Sequence, residues 1–300
     1  MNTKVSIIAE GGGMRGAYAL GVIFGLYFDF GLRRVDVVTG SSASIGTLAY
    51  FTAGQFFPGF YIWPEKLPNK KFLSFRNILQ NKPLLNVEYL VDEIFKNEIP
   101  LDMSKLLNSK VELIIPLTNA KTGEFEYASS KNKFSNYDPR EVLKAAMAVP
   151  VLFGKVVKLK EKDYYDGWAT DTMPLEIDSV IDSTKIIIFT KPFELNSNLK
   201  ELDLYNLRVP HFGLLYGNAI KQIKKCKQAY NEKLKLAKKL EEKGDILIYP
   251  KNKFSKINNS RKNINKCIEE GRRDVINNPK IQELMKKLRN SPRAKFYFEE

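Results

Sequence analysis

Three hundred residues with 44% apolar side chains suffice for one large α/β domain with a sizeable core, and no apolar run reaches the roughly 18 residues that span a bilayer. The formal charge of +14 is uneven: residues 1–220 hold 25 basic and 24 acidic side chains, residues 221–300 hold 23 and 10. Two cysteines (Cys226, Cys267) and one histidine (His211) argue against a disulfide framework, and with no His/Cys set at metal-ligand spacing they disfavour a zinc hydrolase.

In chain order, the β-branched run Val5–Ile8 reads as a strand, entered at once after a single lysine, so no secretory signal is visible and a reducing, cytoplasmic compartment is expected. The glycine-rich turn EGGGMRG (Glu10 to Gly16) follows it. A second strand, Val35–Val38, leads into GSSAS (Gly40 to Ser44), and Ile45–Ala53 continues as a helix of small and apolar residues. Residues 54–84 show no clear period and read as a long aromatic loop, a lid or substrate wall. Asn86–Asn97 has a helical apolar face, and Lys110–Ala120 is a strand with Glu124–Ser129 as its hairpin partner. Asp138-Pro139 opens a short helix through Ala148. Short strands at Val156–Leu159 and Asp163–Tyr165 end at Asp166-Gly167, and Ile186–Thr190 reads as a strand buried on both faces. A long helix, Ala219–Leu240, stops at Gly244 before a strand at Ile246–Tyr249, and two basic helices split near Pro279 complete the chain.

Strand, tight turn and helix, repeated twice, bring the glycine turn and GSSAS to the carboxyl edge of one parallel sheet, the layout of an acyl-transfer site. In a strand–turn–helix elbow the middle residue is forced into a strained, exposed conformation between small neighbours. Ser42, two positions from both Gly40 and Ser44, is therefore the candidate nucleophile, while Ser41 and Ser44 serve as small residues. The glycine turn admits two readings. Gly11, Gly13 and Gly16 fit a dinucleotide fingerprint, which wants an acid at the end of the second strand, whereas Asp36 lies near its beginning. In the other reading the N–H groups of Gly12, Gly13 and Met14 face the carbonyl under attack, and Arg15 adds positive charge or anchors the loop. Asp166, at a strand end before Gly167, can accept the Ser42 proton if burial raises its pKa; the ordinary reading of an Asp-Gly pair is a turn.

Together these elements resemble the patatin-like phospholipase family, with Gly11 to Gly16 matching its oxyanion loop, Gly40 to Ser44 its elbow and Asp166-Gly167 its acid segment. Ala145 to Phe153 is similar to the family's small-residue stretch ending in A-x-P-x-x-F, and the resemblance spans residues 5–190. It implies a three-layer α/β fold with a mainly parallel central sheet, and lipid ester hydrolysis through a Ser42–Asp166 dyad without metal or organic cofactor. Two positions depart from the pattern: Ser44 replaces the final elbow glycine, and Trp168 stands where glycine or alanine is usual, which puts substrate range in doubt and leaves as the alternative a catalytically impaired lipid-binding protein on the same fold.

The expected organisation is a hydrolase domain at 1–250 and a basic helical extension at 251–300. Its charge suggests an anionic partner: a lysine-bearing face on the 219–240 helix meeting a membrane surface rather than nucleic acid. A solvated lysine-rich face is the alternative.

Overall fold

The computed structural model describes residues 4–80, 82–150, 153, 155–195 and 217–299. His211, Val151 and Leu152 lie outside the described residues, as do the side chains of Ile220, Ile223 and Cys226. Eight strands form one sheet: β1 (Val5–Ala9), β2 (Val37–Gly40), β3 (Glu112–Asn119), β4 (Phe125–Ser129), β5 (Val157–Leu159), β6 (Lys162–Asp166), β7 (Thr184–Ile188) and β8 (Ile246–Ile248). Their order is β5-β6-β3-β2-β1-β7-β8, with β4 also on β3. The run from β3 to β8 is parallel, and the pairings of β4, β5 and β6 are antiparallel.

Alternation along β1 separates two cores. Ile7 belongs to the larger one with α1 (Gly16–Phe24), α2 (Ser44–Thr52) and α3 (Pro139–Met147). Ile8 belongs to the smaller one, closed by Tyr230, Leu234 and Ala237 of α4 (Gly217–Glu242). Helices on both faces of a mainly parallel sheet make the three layers that the resemblance implies.

The last fifty residues form α5 (Arg261–Ile276), α6 (Pro279–Arg289) and α7 (Ala294–Phe298). They are not an appendage. Ile264, Cys267, Val275, Leu284, Leu288 and Tyr297 join the same cluster as Ile7. α5 lies so close to α1 that a Cβ at Gly21 would sit 2.1 Å from the Ile268 carbonyl oxygen, and one at Gly271 2.2 Å from that of Tyr18. Asp36, at the foot of β2, binds Arg293 and Tyr297 of this region. The boundary expected at residue 250 therefore falls inside one core.

Residues 54–84 also differ from the expected loop. They hold short helices at Phe56–Phe60 and Arg76–Leu79 and a widened turn at Ile62–Lys66. Phe56, Ile62, Trp63, Leu67 and Leu73 are buried, and Gly59 presses on the Tyr50 ring of α2. Aromatics spaced without a helical period here cover a helix from outside.

The pairing of β3 positions the site. Ile114 pairs with both Thr39 of β2 and Ser129 of β4, and Leu117 with both Glu126 of β4 and Asp166 of β6. Since β4 occupies one edge throughout, β2 and β6 share the other. β2 runs up that edge to Gly40 and β6 runs down it to Asp166. The two strands meet carboxyl end to carboxyl end.

Candidate active site

Ser42 follows the end of β2 with φ of 52°, a left-handed conformation that a side chain adopts only under strain. The elbow is held from three sides. Ser41 N–H donates to the Ala9 carbonyl and Ile45 N–H to that of Ser42, while a Cβ at Gly40 would lie 2.4 Å from the Ala9 oxygen. Only glycine lets β2 end this close to β1. The Ser42 side chain sits at the amino end of α2, where the helix dipole favours negative charge.

Asp166 ends β6 and is wholly buried. Its N–H donates to the Ala148 carbonyl, so the small-residue segment after α3 fixes the acid's backbone. A Cβ at Gly167 would lie 2.5 Å from the Pro116 backbone, which is why glycine follows the acid. One carboxyl oxygen, Oδ1, accepts the Trp168 N–H at 2.9 Å. Oδ2 is buried without a hydrogen-bond partner. Burial pushes the carboxyl up to about 7, against the opposing pull of the Ser42 hydroxyl, the Trp168 N–H and the Ser42 N–H. Ser42 is thus near enough to favour the charged form, yet closes no hydrogen bond with Oδ2.

The glycine turn can be followed peptide by peptide. Gly11 N–H donates to Ser41 Oγ at 2.9 Å, and the Glu10 carbonyl accepts Ser44 Oγ at 2.7 Å. The Gly11 carbonyl accepts Thr190 Oγ1 at 2.5 Å, and that of Gly12 accepts Arg15 N–H at 3.3 Å. Met14 N–H donates to the Lys256 carbonyl at 2.9 Å. Gly16 N–H is taken up at the start of α1. The N–H groups of Gly12 and Gly13 alone in this turn have no acceptor among the described residues. Met14, expected as a third donor, is occupied, because the loop before α5 reaches over the turn. Arg15 is buried with its guanidinium against Gly12, where a Cβ would meet Nε at 2.8 Å.

Ser41 and Ser44 are more than small residues. Ser41 Oγ accepts from Gly11 and donates to the Thr172 carbonyl at 3.0 Å, and Ser44 grips the turn from α2. Together they clamp the glycine turn to the elbow. Trp168 does not lie across the elbow: its indole packs with the smaller core, on the sheet face opposite α2. Asp36, which the dinucleotide reading would need at this edge, is at the opposite end of β2, binding Val5 N–H and Arg293.

The site therefore gathers a strained serine hydroxyl, a buried carboxyl of raised pKa and two adjacent unpartnered N–H groups. That combination can deprotonate a nucleophile and stabilise an oxyanion. Among known proteins, an Escherichia coli (strain K12) protein described as uncharacterized protein YjjU is 23% identical over 198 residues, covering 64% of this chain. The chain spans about half the length of that relative, 53%. Among solved structures, VipD from Legionella pneumophila is similar with a TM-score of 0.52 and 15% identity, over 96% of this chain and 67% of that one, a likeness of fold. Residues 7–178, more than half of the sequence and including the glycine turn, Ser42 and Asp166, match the patatin-like phospholipase family model, and the chain belongs to that family.

Proposed function

We propose that the protein hydrolyses carboxylic ester bonds of lipids, phospholipid acyl esters in particular, through Ser42 and Asp166. The observation that carries this reading is the buried Asp166 carboxyl, with Oδ2 unpartnered and a pKa near 7, beside a serine in left-handed geometry. Family membership supports a lipid substrate.

In this reading Asp166 takes the Ser42 proton as Oγ forms a bond to the ester carbonyl carbon. The carbonyl oxygen becomes an oxyanion and rests on the N–H groups of Gly12 and Gly13. Collapse breaks the bond to the leaving alkoxide, which receives the proton from Asp166 and departs as an alcohol, leaving acyl-Ser42. Asp166 then takes a proton from water as its oxygen adds to the acyl carbon. The second collapse returns that proton to Ser42 and frees the fatty acid. Among the described residues no helix is long and apolar enough to cross a membrane.

Fatty-acid release from phospholipid vesicles by the wild type and by Ser42→Ala tests the reading. Release is expected from the wild type alone. Equal release by both would refute it.

A further inference from the structure

The mechanism above leaves unexplained a buried polar cluster beneath the glycine turn. Glu10 is 2% exposed and Thr190 fully buried. Glu10 Oε2 accepts Thr190 N–H at 2.8 Å, with Thr190 Oγ1 3.1 Å away, and Oε1 accepts the Tyr230 hydroxyl at 3.0 Å. A carboxyl group desolvated to this degree is costly unless hydrogen-bonded, so two donors, the Thr190 N–H just beyond β7 and the Tyr230 hydroxyl of α4, make this a built assembly.

Its output is the Thr190 hydroxyl. The nearer acceptor for its one proton is the Gly11 carbonyl, at 2.5 Å. A trans peptide is planar, with its C=O and N–H pointing in opposite directions. Holding the Gly11 carbonyl therefore sets the direction of the N–H in the same peptide unit, that of Gly12. This is one of the two donors without an acceptor among the described residues, and it belongs to the residue after Gly11, where a Cβ would lie 2.8 Å from the Ser42 Cβ. Glycine needs such a brace. Gly12 has a φ of 151°, and nothing in its own covalent structure prevents the peptide from turning over. The Ser41 and Ser44 clamps hold the preceding peptide and not this one.

Resting on the proposed function, we propose that Thr190, anchored by Glu10 and Tyr230, is a positioning residue that aims the Gly12 N–H at the developing oxyanion. The donor's orientation is thereby tied to the seating of α4, which carries Tyr230 on the far side of the sheet. Misplacing a reacting or stabilising group by about 1 Å can cost about 100-fold in rate, so this brace acts on kcat and leaves ground-state binding alone.

Thr190→Val keeps the shape and the N–H to Glu10 but removes the hydroxyl, and Thr190→Ser restores it. On a soluble ester substrate, Thr190→Val is expected to lower kcat about 10- to 100-fold with KM within about threefold, since loss of a whole oxyanion donor costs about 100- to 1000-fold. Thr190→Ser should recover to within about threefold of wild type. Should Thr190→Val not fold, Tyr230→Phe, which deletes only the distant hydroxyl, should still lower kcat about three- to tenfold at unchanged KM. The inference is overturned if Thr190→Val keeps wild-type kcat, if Val and Ser are equally impaired, or if, with Val unfolded, Tyr230→Phe leaves kcat unchanged. The hydrolase reading fails separately, by an inactive wild type or an active Ser42→Ala.

Discussion

The Gly11 N–H donates to the Ser41 hydroxyl across 2.9 Å, and the same hydroxyl donates to the Thr172 carbonyl, so the glycine turn and the serine elbow move as one body. Two serines side by side thus carry different burdens. Ser41→Ala strips two buried backbone groups of their partner and should cost about 1–3 kcal/mol of stability, with a partial loss of kcat. Ser42→Ala should abolish hydrolysis with stability nearly unchanged, and Ser42→Gly should be inactive yet more stable by about 1 kcal/mol, because the left-handed strain at φ of 52° is relieved. Urea unfolding beside an esterase assay separates the three. A Ser41→Ala enzyme as stable as wild type would contradict this geometry.

The raised pKa of Asp166 makes two linked pH predictions. As a general base it must be ionised, so kcat/KM should fall below a limb near pH 7. For stability, both folded and unfolded states hold the proton below about pH 4. Between about pH 4 and 7 the unfolded state ionises while the native state retains its proton, so this residue's contribution declines as pH rises, by at most about 4 kcal/mol in all, and then levels. Asp166→Asn should therefore be inactive and gain on the wild type between pH 5 and pH 8 in urea titrations. An equal stability difference at both pH values would mean that the carboxyl is not desolvated.

The contact between α1 and α5 predicts that residues 251–300 cannot be removed without loss of fold. Gly271→Ala should cost about 1–3 kcal/mol or more, since its Cβ would press on the Tyr18 carbonyl. An unchanged melting temperature would contradict that closeness.

The excess of 13 positive charges in residues 221–300 is partly neutralised by acids outside that stretch. Lys233 pairs with Asp171 and Glu176, Arg261 with Glu65, Arg272 with Asp29 and Arg293 with Asp36. The side chains of Lys221, Lys224 and Lys227 lie outside the described residues. We propose that the remaining charge, including exposed Lys225, still attracts an anionic bilayer, each such lysine adding about 1 kcal/mol near the surface. Co-sedimentation should show binding to anionic but not neutral vesicles at low salt, lost at high salt, with duplex DNA as control. Equal binding to both vesicle types would remove the proposal.

What the sequence made legible follows from the range of the interactions. The glycine turn, elbow and Asp166-Gly167 are local backbone solutions, each marked by glycines at close approaches, so motif spacing reveals them. Strand and helix positions follow from period, although β2 begins at Val37 rather than Val35. Contacts across long separations leave no such mark. The Lys256 carbonyl occupies Met14 N–H from a loop more than 240 residues away, and Gly21 meets Ile268 only because α5 returns to α1. The clamp made by Ser41 and Ser44 was hidden for another reason. Their small size explains their presence in an elbow, so nothing in the sequence called for their hydroxyls.

The most direct test of the central claim is covalent labelling by a fluorophosphonate, with the modified residue located by mass spectrometry. The reagent reacts only with a serine whose hydroxyl is activated and whose oxyanion is stabilised. One label is expected per wild-type chain, at Ser42, with none on Ser42→Ala and strongly slowed labelling of Asp166→Asn. A wild type left unlabelled, or labelled at another serine, would contradict the assignment of Ser42 and Asp166.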